Sequence, residues 1–63
     1  MLSDREKEVL KHLPDGKSNK EIAKLLNICE RTVKAHITSS MKKLNLDNRV
    51  KLAIGVYSGQ IVC

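Results

Sequence analysis

Apolar residues along this chain recur in steps of three and four and never in sustained alternation, so the pattern predicts helices and no strand. Val9, Leu10 and Leu13 form the first stripe, preceded by Ser3-Asp-Arg-Glu6. That tetrad fits a capping box, in which the serine caps a backbone N–H and the glutamate reaches back to the cap residue. Acids crowd the first turn, as the helix dipole prefers. Pro14 should stop the run, and Pro14-Asp15-Gly16 reads as a turn, which places a first helix at about residues 3–13. Ser18-Asn-Lys-Glu21 is a second capping box. Ile22, Ala23, Leu25 and Leu26 follow it, giving a short helix over about 18–27 that ends at Asn27, a residue tolerant of left-handed backbone. A third helix is predicted from Glu30 to Leu44, closed by Asn45. A fourth starts after the caps Asp47 and Asn48 and runs to Gly59, about residues 48–59. The expected class is all-α: one four-helix (tetrahelical) domain over residues 1–63.

Only Asn27-Ile28-Cys29 joins the second and third helices, and two short helices around so tight a turn match a helix-turn-helix. Ala23 is small enough for the close approach of the pair, while Leu26, Ile28 and Val33 are spaced to fill the inside of the corner. A generic helical hairpin shares this much. The third helix adds more. At about 100° per residue, Val33, Ile37, Met41 and Leu44 share one side, with Arg31, Lys34, Ala35, Thr38 and Lys42 nearly opposite. Long cations reach guanine edges or phosphates, and alanine and the threonine methyl approach thymine methyls closely. A merely solvated face would usually carry glutamates too, yet no acid lies between Arg31 and Asn45.

Charge changes the picture by where it lies. The net +5 is absent from residues 1–30, where six bases meet six acids; residues 31–63 set six bases against Asp47 alone. Clustered positive charge suits a polyanion, nucleic acid above all, although charge by itself fits a solvated basic surface equally well. Tyr57 is the sole aromatic, which argues against single-strand binding by base stacking. Cys29 and Cys63 are too few and too far apart for a disulfide framework, and with His12 and His36 they give no zinc spacing. His36 reads as a packing and hydrogen-bonding residue, and His12 as helix surface. No nucleophile–base set or paired carboxylates point to an enzyme, and no cofactor or metal is expected. No signal peptide or membrane span is legible, so a reducing cytoplasm is the expected setting. Met1 abuts the first helix, as in a piece cut from a longer protein.

Leu2-Ser-Asp-Arg-Glu6, Gly16-Lys-Ser-Asn-Lys-Glu-Ile-Ala23, Thr32-Val-Lys-Ala-His36, Lys43-Leu44 and Arg49 together resemble the LuxR-type helix-turn-helix domain. This is the effector module of NarL/FixJ-like response regulators and of quorum-sensing regulators. The resemblance spans essentially the whole chain. It implies sequence-specific binding of double-stranded DNA as a homodimer, with the helix at 30–44 in the major groove. Lys34 and Ala35 fall at the family's main base-contacting positions, with Arg31 and Thr38 as further candidates. Ser18, Asn19, Lys20, Thr32 and Lys42 fall where relatives touch phosphate. An N-terminal receiver or ligand-sensing domain, outside this chain, and RNA polymerase are the implied partners.

The fourth helix corresponds to the family's dimerisation helix, and it carries two apolar stripes. Val50, Ala53, Ile54, Tyr57 and Ile61 make the broader one, taken here as the buried side. Leu52, Val56 and Gly59, with Gly55, make the narrower one, the candidate dimer interface. Three positions depart from the family. Cys29 replaces the serine that usually caps the third helix, and a thiol accepts a hydrogen bond poorly, although a helix N-terminus favours thiolate. Ser40 replaces an apolar residue, so that side is expected to be underpacked, with Ser40→Ile raising thermal stability; its hydroxyl could bond back to the carbonyl of His36. Pro14-Asp15 stiffens the turn before Gly16. A second reading remains open: a helical interaction module whose basic face meets an acidic protein, such as RNA polymerase or a receiver domain.

Overall fold

The computed structural model describes residues 2–61, so Met1, Val62 and Cys63, and the expectations attached to Met1 and Cys63, lie outside it. Four helices follow one another: α1 (Asp4–Leu10), α2 (Asn19–Leu26), α3 (Glu30–Leu44) and α4 (Arg49–Ser58), with no strand among the described residues. The fold is all-α. Both capping boxes close. Ser3 Oγ accepts from Glu6 N at 3.2 Å while Ser3 N donates to Glu6 Oε1 at 2.7 Å, and the Ser18–Glu21 pair repeats the exchange at 3.2 and 2.9 Å.

Asparagines end the two central helices in left-handed backbone, Asn27 at φ 57° and Asn45 at φ 56°. Each lets the next residue bond back over the last turn, Ile28 N to Ala23 O at 3.0 Å and Leu46 N to Met41 O at 2.9 Å. Those bonds turn Ile28 and Leu46 back against the core. The chain therefore reverses inside the turn 27–29, and the angle between α2 and α3 is set locally.

The first helix is shorter than its apolar stripe suggested. Regular α-helix stops at Leu10, and the backbone tightens to i→i−3 bonds, His12 N to Val9 O at 3.2 Å and Leu13 N to Leu10 O at 3.1 Å. Pro14 is the cause, since its ring disfavours helical backbone at the residue before it. The tighter winding still delivers Leu13 to the interior.

Val9, Leu10, Leu13, Ile22, Ala23, Val33, Ile37 and Leu52 form one core, fed by all four helices. On α4 the expected buried stripe holds only for Ala53 and Ile61, which pack on the core; otherwise the expected faces are exchanged. Leu52 is fully buried and Gly55 is buried, with Val56 packed on the core, whereas Val50, Ile54 and Tyr57 are 66%, 60% and 82% exposed. Leu52 is therefore a core residue and Val56 is half-buried against the core, so neither is the free contact surface expected of it. Gly59 is exposed but serves as the left-handed stop of α4, at φ 84°. Periodicity reported two apolar stripes; the anchors at each end of the helix chose between them. At its start Arg49 is tied to Lys17 and Asn19. Near its end Ile61 folds back over Gly55, its N–H donating to Gly55 O at 3.1 Å. A Cβ at residue 55 would lie 2.5 Å from Ile61 Cδ1, so a larger residue there would require the Ile61 side chain to shift.

Candidate nucleic-acid interface

The inward side of α3 is Val33, Ile37 and Ser40, all buried, with Met41 and Leu44 half-buried beside them. Ser40 is fully buried, and its Oγ donates to His36 O at 2.7 Å, so the hydroxyl is satisfied within its own helix. This inward row fixes what faces out. Arg31, Lys34, Ala35, Thr38 and Lys42 are all exposed, and with Ser39 they line one shallow, open depression along α3. Ser39 was not singled out from the sequence, because a half-buried serine has no periodic signature. Among the described residues none of these cations forms an ion pair with an acid.

The residues expected at phosphates occupy two places. Lys42 sits on the depression, while Thr32 is half-buried in the first turn of α3. Ser18, Asn19 and Lys20 are the cap and opening residues of α2. The Ser18 hydroxyl accepts from Glu21 N, leaving its own proton available. The amide hydrogens of Asn19 and Lys20 lie in the first turn, where a helix has no internal acceptors. The Ser18 N–H holds the exposed Glu21 carboxyl below its usual range. Asn19 is engaged from behind: its Oδ1 accepts from Arg49 Nη1, and Arg49 Nη2 donates to Lys17 O at 3.0 Å.

Cys29 is the cap residue of α3, exposed and free, in extended backbone suited to capping but making no side-chain cap bond. The far end of α3 is held more firmly. Lys43 Nζ lies 2.7 Å from Oε1 of Glu6, a carboxylate only 3% exposed. Lys43 and then the Ser3 N–H lower the Glu6 pKa to about 2, against the desolvation that would raise it. Burial of Glu6 went unread in the sequence, where it figured only as half of a capping box.

The family described as bacterial regulatory proteins, luxR family, matches residues 1–56 of the chain. The chain belongs to this family. Curated relatives agree with it. The nitrate/nitrite response regulator NarP of Escherichia coli is 50% identical over 54 residues, covering 86% of this chain and 25% of its own length. Its counterpart NarL of Escherichia coli is 42% identical over 60 residues, with 95% of this chain and 28% of NarL covered. The transcriptional activator AnoR of Acinetobacter nosocomialis is 45% identical over 53 residues, or 84% of this chain and 22% of AnoR. The chain thus spans about a quarter of the length of these relatives. As a luxR-family helix-turn-helix domain, it serves DNA-binding transcription regulation and is not an enzyme. No described helix is long and apolar enough to cross a membrane.

Proposed function

We propose that this luxR-family domain reads double-stranded DNA by laying α3 in the major groove, as one half of a homodimer. The observation that carries this reading is the outward face of α3, where Arg31, Lys34, Ala35, Thr38 and Lys42 line one acid-free depression. A convex helix with long cations flanking two small side chains fits a groove about 12 Å wide. Lys34 and Ala35 are the principal base readers, with Arg31 and Thr38 beside them. Ser18, Asn19, Lys20, Thr32 and Lys42 contact phosphates and set the register.

The dimer forms through the outward face of α4, Val50, Ile54 and Tyr57, which stand clear of the core. Two recognition helices then meet two half-sites at a spacing fixed by that contact. The domain acts in the bacterial cytoplasm as the effector part of a longer regulator, coupled to a receiver or ligand-sensing domain. That last element rests on the response-regulator relatives, of which the chain spans about a quarter.

The test begins with sequences selected from random DNA by the wild-type domain. Lys34→Ala is expected to cost about 1–3 kcal/mol on the selected site and to relax preference at one position. Affinity should fall steeply with salt, as phosphate contacts require. Equal binding of selected and random duplexes by wild type and mutant would remove Lys34 as a reader. Weak, sequence-blind retention by the wild type itself would favour a protein-binding module instead.

A further inference from the structure

Arg49 lies outside the recognition helix, at the first position of α4, yet its guanidinium is spent on the opening of α2. One nitrogen donates to Asn19 Oδ1 and the other to Lys17 O, across thirty and thirty-two residues of sequence. A guanidinium has donors only, so it can hold only the oxygen side of the asparagine carboxamide. The amide is planar, and fixing its oxygen inward turns Nδ2 and its two hydrogens away from the guanidinium. Among the described residues Nδ2 has no hydrogen-bond partner within the protein, and Asn19 is half-exposed. A free asparagine could present either end to an anion. This one is held with its donor end away from Arg49, next in sequence to the exposed Lys20.

We propose that Arg49 is a positioning residue for DNA-backbone binding, which orients Asn19 as a phosphate donor and ties the opening of α2 to α4. The inference rests on the reading of Asn19 as a phosphate contact. It adds that the contact is made competent from another helix, so the element carrying the dimer surface also sets a contact with the duplex. Lysine cannot replace Arg49 here, because one ammonium cannot hold both acceptors in a fixed fork.

The experiment is a double-mutant cycle on the 63-residue domain, with titrations against a selected and a random duplex and a melting curve for each variant. Arg49→Lys and Asn19→Ala should each lower affinity by about fivefold to tenfold on both duplexes, the loss of one phosphate hydrogen bond. The double variant should bind no worse than Asn19→Ala alone. Multiplying losses would overturn the positioning role, and so would an Arg49→Lys protein that binds as wild type while Asn19→Ala is weakened. If Asn19→Ala binds as wild type, the phosphate reading of Asn19 falls, and the proposal with it. Asn19→Asp guards against a fold defect in the arginine variants. It keeps the acceptor for Arg49 and loses the outward donor, so its melting temperature should hold or rise while DNA affinity drops more than tenfold. Unchanged DNA affinity in Asn19→Asp would overturn the proposal.

Discussion

Cys29 shows how far a single atom type governs a helix end. Its backbone, at φ −79° and ψ 151°, is already that of a capping residue, yet its thiol makes no cap bond. Cys29→Ser should supply that bond without moving the chain. It is expected to stabilise the domain by about 0.5–1.5 kcal/mol in chemical denaturation. No gain would mean that water already satisfies those amides. Ser40 is the opposite case, a polar group whose need is met at home. Its hydroxyl donates to a carbonyl that an α-helix already pairs with the N–H of residue 40, so removing it orphans no acceptor. Ser40→Ala should leave stability unchanged or raise it by about 0.5 kcal/mol through helix propensity. A loss beyond 1 kcal/mol, read from thermal melting, would assign the hydroxyl a packing role that its geometry does not suggest. The pairing of Ser40 with His36 was legible because an i, i−4 bond is local. Burial of Glu6 was not, because its partner Lys43 lies thirty-seven residues away.

Between elements, the Glu6–Lys43 pair fastens α1 to the end of α3, and its worth depends on pH. The carboxyl titrates near pH 2 in the fold against a usual value of 4.5. Its stabilisation is therefore complete above pH 4.5 and drains away as pH falls towards 2. Lys43→Met, leaving a buried carboxylate with one fewer partner, should cost about 1–3 kcal/mol at neutral pH. That deficit should shrink as acid neutralises Glu6 in both proteins. A deficit independent of pH in urea titrations would show that the lysine stem, and not its charge, matters. The helices themselves were readable because each begins and ends on residues that act locally: Ser3 with Glu6, Ser18 with Glu21, Asn27, Asn45 and Asn48. The rotation of α4 was not. Both of its faces are apolar, and the choice lies with the long-range bonds of Arg49 and with the local turn of Ile61 over Gly55, neither of which leaves a periodic trace.

At the scale of the molecule, folding uses one side of the short helix α4, and the proposed self-association would use the other. Leu52 faces the core with no exposure, whereas Ile54, two residues on, is 60% exposed. Leu52→Ala should cost about 2–5 kcal/mol of stability. Ile54→Glu should cost less than about 0.5 kcal/mol, yet abolish self-association in sedimentation and weaken binding to paired half-sites more than to a single one. An Ile54→Glu protein that still dimerises would move the interface off this face. The outward face of α3 was legible from its spacing and from its lack of acids, and the family resemblance carried the roles proposed for Lys34 and Ala35. The outward face of α4 had to be seen in three dimensions.

Val50, Ile54 and Tyr57 project from α4 while standing outside the core. Their identities are therefore nearly free of folding constraint, and mutation can explore them without passing through unfolded intermediates. A cell holding several regulators built on this scaffold would need to prevent mixed pairs. Changing the size or charge of these few side chains would insulate one from another, through clashes against the wrong mate as much as through fit with the right one. In such a lineage the groove-reading face would be constrained by its operator and the core by the fold. The outer face of α4 would be left as the place where new members learn to ignore their siblings.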